Sequence, residues 1–348
     1  MYKASQGAFY IAYHLILTGG GGICAAGLIP MLFETLSSLT DIRKTITIAA
    51  LLSFILTFLL LGRKFAFLPR DQGRLYAVNG EKSKGKIRGA GIIIAIVFIL
   101  VSLLFIDLSL ENILSCVIIL LVMLSGYLDD ASKTPWSDYK KGLIDLILSV
   151  SYMVLFVLNN PTDIYLFGKL IHFDPVVYGI LGVVLIWVSI NVTNCTDGVD
   201  GLCGSLSIIS ILSFVLIFNI QDKIKADSLI LVSALLAYLI FNSSPSSMLM
   251  GDAGSRTLGF FLAVILMKSG HPFAFIPLVL VMILDGGLGL VKVFLLRFLK
   301  ISILRDTRTP LHDEMRKNRG WSDTQVVFRF CIMQVIISAL SFVLLMNN

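Results

Sequence analysis

Within eleven residues, Asn191-Val-Thr-Asn-Cys-Thr-Asp-Gly-Val-Asp-Gly201 sets two carboxylates, Asp197 and Asp200, among amides and hydroxyls, and it lies between two apolar runs. Other stretches repeat the arrangement of acids or amides at the end of an apolar run. They are Gly126-Tyr-Leu-Asp-Asp-Ala-Ser-Lys133, Phe241-Asn-Ser-Ser-Pro245 with Met250-Gly-Asp-Ala-Gly-Ser255, and Thr309-Pro-Leu-His-Asp-Glu-Met-Arg-Lys-Asn-Arg-Gly-Trp321. Oxygen donors with few histidines nearby suit Mg²⁺ or Mn²⁺ better than zinc. Such an ion neutralises a diphosphate and stabilises the charge of phosphoryl transfer. The chemistry suggested is the holding of a phosphorylated, metal-bound substrate at a membrane surface.

Each cluster also has a plainer reading. Asp129 and Asp130 are adjacent, and neighbouring helix positions point about 100° apart, so one ion seldom takes both. One acid binds while the other orients or acts as base; alternatively the pair is a solvated helix end. Asp197 and Asp200 share a face if helical, and Gly198 and Gly201 let backbone approach a ligand closely. Capping of the next helix accounts for Asn194 and Thr196, but not for the whole knot. Asp252, opening an apolar helix, competes with an N-cap role; Asn242 ten residues earlier adds an amide, and together they resemble a site floor. His312 lies among Asp313, Glu314, Arg316, Lys317 and Arg319, where a lone histidine is ordinarily a surface residue. His14, His172 and His271 fall outside these clusters and are read as without a catalytic role. Asp285-Gly-Gly-Leu-Gly289 interrupts an apolar run: paired glycines kink helices, and a polar breach at membrane depth must face protein or a cavity. Asp285 is either functional there or caps the break.

The elements that must position these residues are membrane helices. Of 348 residues, 57% are hydrophobic and 14% charged, and the mean hydropathy is +0.90; soluble domains average about 45–50% and about 25%. Apolar runs cover roughly 45–62, 90–106, 110–128, 143–158, 175–193, 203–220, 228–241, 255–268, 273–298 and 325–346, near the about 20 residues a spanning helix needs. The fold class expected is all-α, a polytopic integral membrane protein of about ten transmembrane helices with its cleft at the cytoplasmic face. Alternating strands of a β-barrel are not visible. Residues 1–43, with Gly19-Gly-Gly-Gly22, form an apolar segment of open topology without the marks of a cleaved signal peptide; residues 44–348 are expected to form the transmembrane domain that carries the polar clusters.

Numbered in order, the connectors after odd spans share one side. The first holds Arg63, Lys64, Arg70, Arg74, Lys82, Lys84, Lys86 and Arg88, the third Lys133, Lys140 and Lys141, and the ninth Arg297, Lys300, Arg305, Arg308, Arg316, Lys317 and Arg319. The other side offers Lys169, Lys223, Lys225 and Lys268. Basic loops stay in the cytoplasm, so the odd connectors are assigned there, and they also carry the acidic and amide clusters. The net charge of +6 fits membrane orientation, not nucleic-acid binding. Cys24, Cys116, Cys195, Cys203 and Cys331 lack metal spacing and are read as free thiols.

Taken in order, Asp129-Asp130-Ala-Ser-Lys133, Asn194-Cys-Thr-Asp-Gly-Val-Asp-Gly201, Phe241-Asn242 with Pro245, Met250-Gly-Asp-Ala-Gly-Ser255 and Pro310-Leu-His312 resemble the polyprenyl-phosphate N-acetylhexosamine-1-phosphate transferases. The tail Gly320-Trp-Ser-Asp-Thr-Gln-Val-Val-Phe-Arg-Phe330 is similar to the branch that makes lipid I. The resemblance implies ten transmembrane helices, Mg²⁺, and transfer of phospho-N-acetylmuramoyl-pentapeptide from its UDP donor to undecaprenyl phosphate, releasing UMP. It implies a multi-pass protein of the bacterial plasma membrane, surrounded by membrane lipids and paired as a homodimer. By the same resemblance Asp129, Asp130 and Asp252 are essential acids, with Asp252 the magnesium ligand, and His312 is catalytic. Lys133, Asn194, Thr196, Asp197, Asp200 and Asn242 line the nucleotide and sugar site. Direct attack by the lipid phosphate and a covalent intermediate on an acid both remain open; the first is favoured because that phosphate is already a nucleophile.

The chain departs from the family pattern at three places. A usual triple histidine reads His312-Asp313-Glu314, Leu249 stands where an aromatic residue often precedes Met-Gly-Asp, and a usual Thr-Pro-Thr-Met-Gly-Gly reads Lys86-Ile-Arg-Gly-Ala-Gly91. Arg88 there suggests a phosphate contact. The nearest alternative is a sibling transferring N-acetylglucosamine phosphate for surface glycans. A more distant one is an ion-coupled transporter, whose acids would gather near the bilayer midplane.

Overall fold

A computed structural model describes residues 42–346 other than 64, 72, 74–82, 106–107, 133, 135 and 167. Its helices are α1 (Ile42–Gly62), α2 (Gly91–Phe105), α3 (Leu110–Ala131), α4 (Asp138–Asn159), α5 (Pro175–Thr196), α6 (Leu202–Ile217), α7 (Asp222–Asn242) and α8 (Gly251–Lys268), then α9 (Pro272–Leu278), α10 (Leu280–Leu299), α11 (Leu311–Lys317) and α12 (Asp323–Met346). An antiparallel hairpin, β1 (Asp163–Leu166) and β2 (Lys169–His172), interrupts this all-helical pattern, with Asp163 opposite His172. Its second strand is exposed at every position, so no inside–outside alternation marks it in the sequence.

Among the described residues, α1, α3, α4, α5, α7 and α12 are long and apolar enough to cross a membrane, and α9 with α10 makes a seventh if the bent pair is one span. Helices α2 and α6 have 15 and 16 residues. Helix α8 has 18 but carries Asp252, Arg256 and Lys268. Each of the ten expected runs contains helix among the described residues, while six or seven meet the length and composition of a span. The chain is a polytopic helical membrane protein. Its outward faces remain apolar, with Leu51, Ile55 and Leu59 of α1, Ile147 and Val154 of α4, and Val335, Ile336 and Leu340 of α12 exposed, as lipid contact requires.

Helix α8 is the hub: every residue from Gly251 to Met267 is buried. It packs against α2, α3 and α5. Close approach depends on small residues, as in membrane helix pairs generally. A Cβ on Gly91 would collide with the backbone of Gly254, so α2 and α8 touch main chain to main chain. Hydroxyls tie other helices together: Ser53 Oγ donates to the Ile230 carbonyl (2.8 Å), Ser189 Oγ to Gly259 (2.6 Å) and Ser210 Oγ to Leu278 (2.6 Å).

The glycine pair Gly286-Gly287 does not produce the kink expected there. It lies in a π-helical turn, Ile283–Gly287, whereas the 69° bend falls between α9 and α10, at Val279. Pro277 supplies no N–H, and Gln334 of α12 fills the break. Its Oε1 accepts from Val281 N (3.0 Å) and its Nε2 donates to the Pro277 carbonyl (3.0 Å).

Connectors sort by parity. Those after α2, α4, α6 and α8 meet at one end, where Lys268 Nζ and Asn160 Nδ2 both reach Glu111 Oε1 at 2.9 and 3.0 Å and His271 stacks on Phe218. The connectors carrying the polar motifs meet at the other end.

Candidate active site

The loop before α2 is laid against the segment before α8 by backbone pairing. Leu249 N donates to Ile87 O (2.8 Å), Ala90 N to Leu249 O (3.1 Å) and Gly91 N to Met250 O (3.1 Å). Leu249 thus serves as a backbone splint. The pairing delivers Arg88 to the N-terminal end of α8, over Gly251, whose φ of +69° belongs to glycine and where a Cβ would collide with Asp130 Oδ2.

Three acids meet there. Asp129 and Asp130 end α3, and Asp252 opens α8. The N-cap is Met250, so Asp252 does not cap; its carboxylate turns to cations. Arg88 Nε donates to Asp130 Oδ1 (2.6 Å) and Nη2 to Asp252 Oδ1 (3.0 Å), with Asp71 Oδ2 at 3.7 Å from Nη1. Burial opposes the Arg88 charge, but Asp130, Asp252 and Asp71 outweigh it and hold the guanidinium above its ordinary range. Lys141 Nζ pairs with Asp129 Oδ2 and lies 3.3 Å from Asp252 Oδ2. Asp129 Oδ1 also accepts from Trp136 N (2.8 Å). The adjacent acids therefore diverge to different cations, as a 100° step demands. Arg88 meets the carboxylates of Asp130, Asp252 and Asp71 here.

One turn further into the bundle the pattern inverts. Arg256 of α8 donates through Nη2 to Asp145 Oδ1 of α4, both buried. Helix α4 contributes Lys141 and Asp145 and α8 contributes Asp252 and Arg256, each pair at i, i+4. Trp187 Nε1 of α5 donates to the Gly142 carbonyl (2.9 Å) between them.

The TDGVDG knot forms the adjoining wall. Asp197 is the C-cap of α5 and Gly201 the N-cap of α6. Neither Asn194 nor Thr196 caps α6: Asn194 lends its carbonyl to Asp197 N (3.2 Å), and Thr196 Oγ1 donates to Val192 O (3.0 Å). Asp200 and Asn242 bind main chain. Asp200 Oδ2 accepts from Ser246 N (2.9 Å) and Lys86 Nζ (3.3 Å). Asn242 Oδ1 accepts from Gly201 N and its Nδ2 donates to Met248 O, both at 2.8 Å. These two residues brace the connectors around the site. Lys133 lies outside the described residues.

His312 is buried, unlike a surface histidine. Asp285 accepts from its backbone N at 2.7 Å and pairs with its Nδ1 at 2.8 Å. Asp285 therefore anchors the histidine instead of capping a helix break, and its π turn is a feature frequent at functional sites. The ring lies so close to Gly198 that a Cβ there would strike Nε2. Arg316 Nη1 also donates to the Gly198 carbonyl (3.3 Å). Glu314 accepts from Arg308 N (2.9 Å) and Asn318 Nδ2 (2.6 Å); these donors hold its carboxyl below the usual glutamate range.

Sequence reasoning placed Lys141 only in the topology count and passed over Asp71, Asp145 and Arg256. Arg256 had a visible signal: a charge inside an apolar run is costly and functional by default. The oxygen-rich donors fit a hard cation, and the Lys141 ammonium between Asp129 and Asp252 shows that those carboxylates can share one positive charge. Among the described residues, no three His, Cys, Asp or Glu side chains stand ready to enclose an ion.

Residues 112–270 match glycosyl transferase family 4. A phospho-N-acetylmuramoyl-pentapeptide-transferase of Treponema pallidum is 38% identical over 314 residues, 84% of this chain and 86% of its own. Proteins of the same description from Oceanobacillus iheyensis and Dictyoglomus turgidum are 29% and 28% identical, covering 87% and 76% of this chain and 97% and 86% of their own. Being 38% identical to a transferase of that description across 84% of its length, the chain belongs to the phospho-N-acetylmuramoyl-pentapeptide-transferase family of polyprenyl-phosphate phosphosugar transferases.

Proposed function

We infer that the chain transfers phospho-N-acetylmuramoyl-pentapeptide from its UDP donor to undecaprenyl phosphate, forming lipid I and UMP in peptidoglycan synthesis. The observation that carries this reading is the meeting of Asp129, Asp130 and Asp252 at one end of a membrane bundle, in a chain 38% identical to a transferase of that description. Undecaprenyl phosphate reaches this end from the lipid, and UDP-N-acetylmuramoyl-pentapeptide from water. The odd connectors face the cytoplasm of a bacterial plasma membrane. A homodimer follows from family resemblance.

Mg²⁺ belongs to the reading, with Asp252 its ligand and Asp129 its neighbour. The local charge supports it: Asp71, Asp129, Asp130, Asp200 and Asp252 face Lys86, Arg88 and Lys141. Around Arg88 and Lys141 the carboxylates of Asp71, Asp129, Asp130 and Asp252 outnumber the cations, which favours a further positive charge there. When bound, the ion stabilises charge developing on the diphosphate. Lys141 and Arg88 hold the acids apart and oriented, Asp285 fixes the His312 ring, and Asp200 with Asn242 fixes the TDGVDG wall. Asp129 or Asp130 takes any proton carried by the lipid phosphate, whose oxygen bonds directly to the sugar-bearing phosphorus of the donor as the diphosphate P–O bond breaks and UMP leaves.

The test supplies purified protein with undecaprenyl phosphate and either UDP-N-acetylmuramoyl-pentapeptide or UDP-N-acetylglucosamine. UMP release with the first donor is expected; turnover of the second alone would give the sibling activity instead.

A further inference from the structure

Both carboxylate oxygens of Asp252 already have cationic partners: Oδ1 accepts from Arg88 Nη2 at 3.0 Å, and Oδ2 faces Lys141 Nζ at 3.3 Å. An ion that uses Asp252 must share or displace one of them. The two cations are held differently. Lys141 sits on helix α4 and pairs with Asp129. Arg88 sits on a loop, with its backbone N–H on the Pro69 carbonyl (2.8 Å) and a fork spanning acids from two helices. The side chains of Arg88 and Lys141 are 14% and 27% exposed, so neither is sealed from solvent, and Arg88 makes the shorter contact to Asp252, 3.0 Å against 3.3 Å. Because Nε holds Asp130 and Nη2 holds Asp252, the guanidinium can release Asp252 and keep its shorter bond to Asp130. At this position the family pattern quoted above has no arginine.

We propose that Arg88 is a resident counter-cation of the acid cluster, competing with the divalent ion for Asp252 and thereby setting the metal affinity of this chain. The proposal rests on the assignment of the metal to Asp252. Without an ion, three clustered carboxylates repel one another, and Arg88 joins two of them in one planar fork. A divalent ion entering at Asp252 meets both a filled oxygen and a nearby positive charge. Arg88 is a positioning residue: it touches the acids, and through them it governs the ion.

The experiment is Mn²⁺ titration followed by electron paramagnetic resonance on the purified full chain in detergent, with no nucleotide or lipid. Arg88→Met should bind Mn²⁺ about tenfold more tightly than the parent, the effect of relieving one close charge in a partly buried site. Arg88→Lys, with charge but no fork, should fall between, and it decides the matter alone if Arg88→Met does not accumulate. Asp252→Asn should lose the ion. Unchanged or weaker Mn²⁺ binding in the Arg88 variants, with Asp252→Asn still losing it, overturns the proposal and leaves the transferase reading standing. Binding that survives Asp252→Asn removes the metal from Asp252, and the proposal falls with that assignment.

Discussion

His312 and Asp285 are 27 residues apart and lie on separate elements, yet two contacts of 2.7 and 2.8 Å join them. One carboxylate oxygen holds the backbone and the other the ring, so the tautomer and direction of the imidazole are set together. His312→Ala should reduce kcat about 100-fold, within the about 10²–10⁴ that a positioned acid–base group contributes. Asp285→Asn should reduce kcat by a similar factor with little change in the KM for donor, because the ring loses its orientation. Steady-state UMP release checks both, and an unchanged kcat in His312→Ala would return that residue to a purely structural role. Asp252→Asn should abolish transfer while circular dichroism stays helical: the amide keeps a polar contact at the start of α8, but the charge is gone.

At the scale of elements, the α4–α8 contact is a two-rung ladder with opposite polarity, Lys141 with Asp252 and Asp145 with Arg256. Slipping either helix by one turn would place like charges opposite each other, so the rungs define register. Arg256 also keeps Nε and Nη1 without a partner among the described residues, so this rung is an expensive source of stability. Arg256→Met alone should destabilise by about 3–5 kcal/mol, because it leaves Asp145 buried and unpaired. Arg256→Met with Asp145→Leu should cost clearly less than the sum of the single changes. Thermal unfolding in detergent separates these outcomes. Where α9 meets α10, Gln334→Leu should cost about 1–3 kcal/mol by stranding Val281 N and Pro277 O in the interior.

The whole molecule is polarised. Acids and basic loops gather at one end, while the Asp163–His172 hairpin and the Glu111–Lys268 pair mark the other. Ser302→Cys and Lys169→Cys should therefore react with a membrane-impermeant thiol reagent from opposite sides, the first from the cytoplasm. Reaction of both from one side would contradict the assigned orientation. Helix α8, buried along nearly its full length, is the axis around which this polarity is built.

The sequence alone determined that the chain is helical and membrane-bound, because apolar runs near the bilayer thickness have few other solutions. It also determined which connectors share an end, since each span reverses direction. Asp129, Asp130 and Asp252 stood out because polar groups are costly at such boundaries, and His312 by family resemblance alone. Tertiary structure decided what those groups meet. Arg88 and Lys141 lie 53 residues apart in the chain, and no local pattern tells that both clasp Asp252. Asn242 and Asp200 also hold backbone and a lysine through contacts spanning 41 to 114 residues. The break at Val279 depends on Gln334, more than 50 residues away. Local chemistry names the groups that must be satisfied, and long-range packing selects their partners.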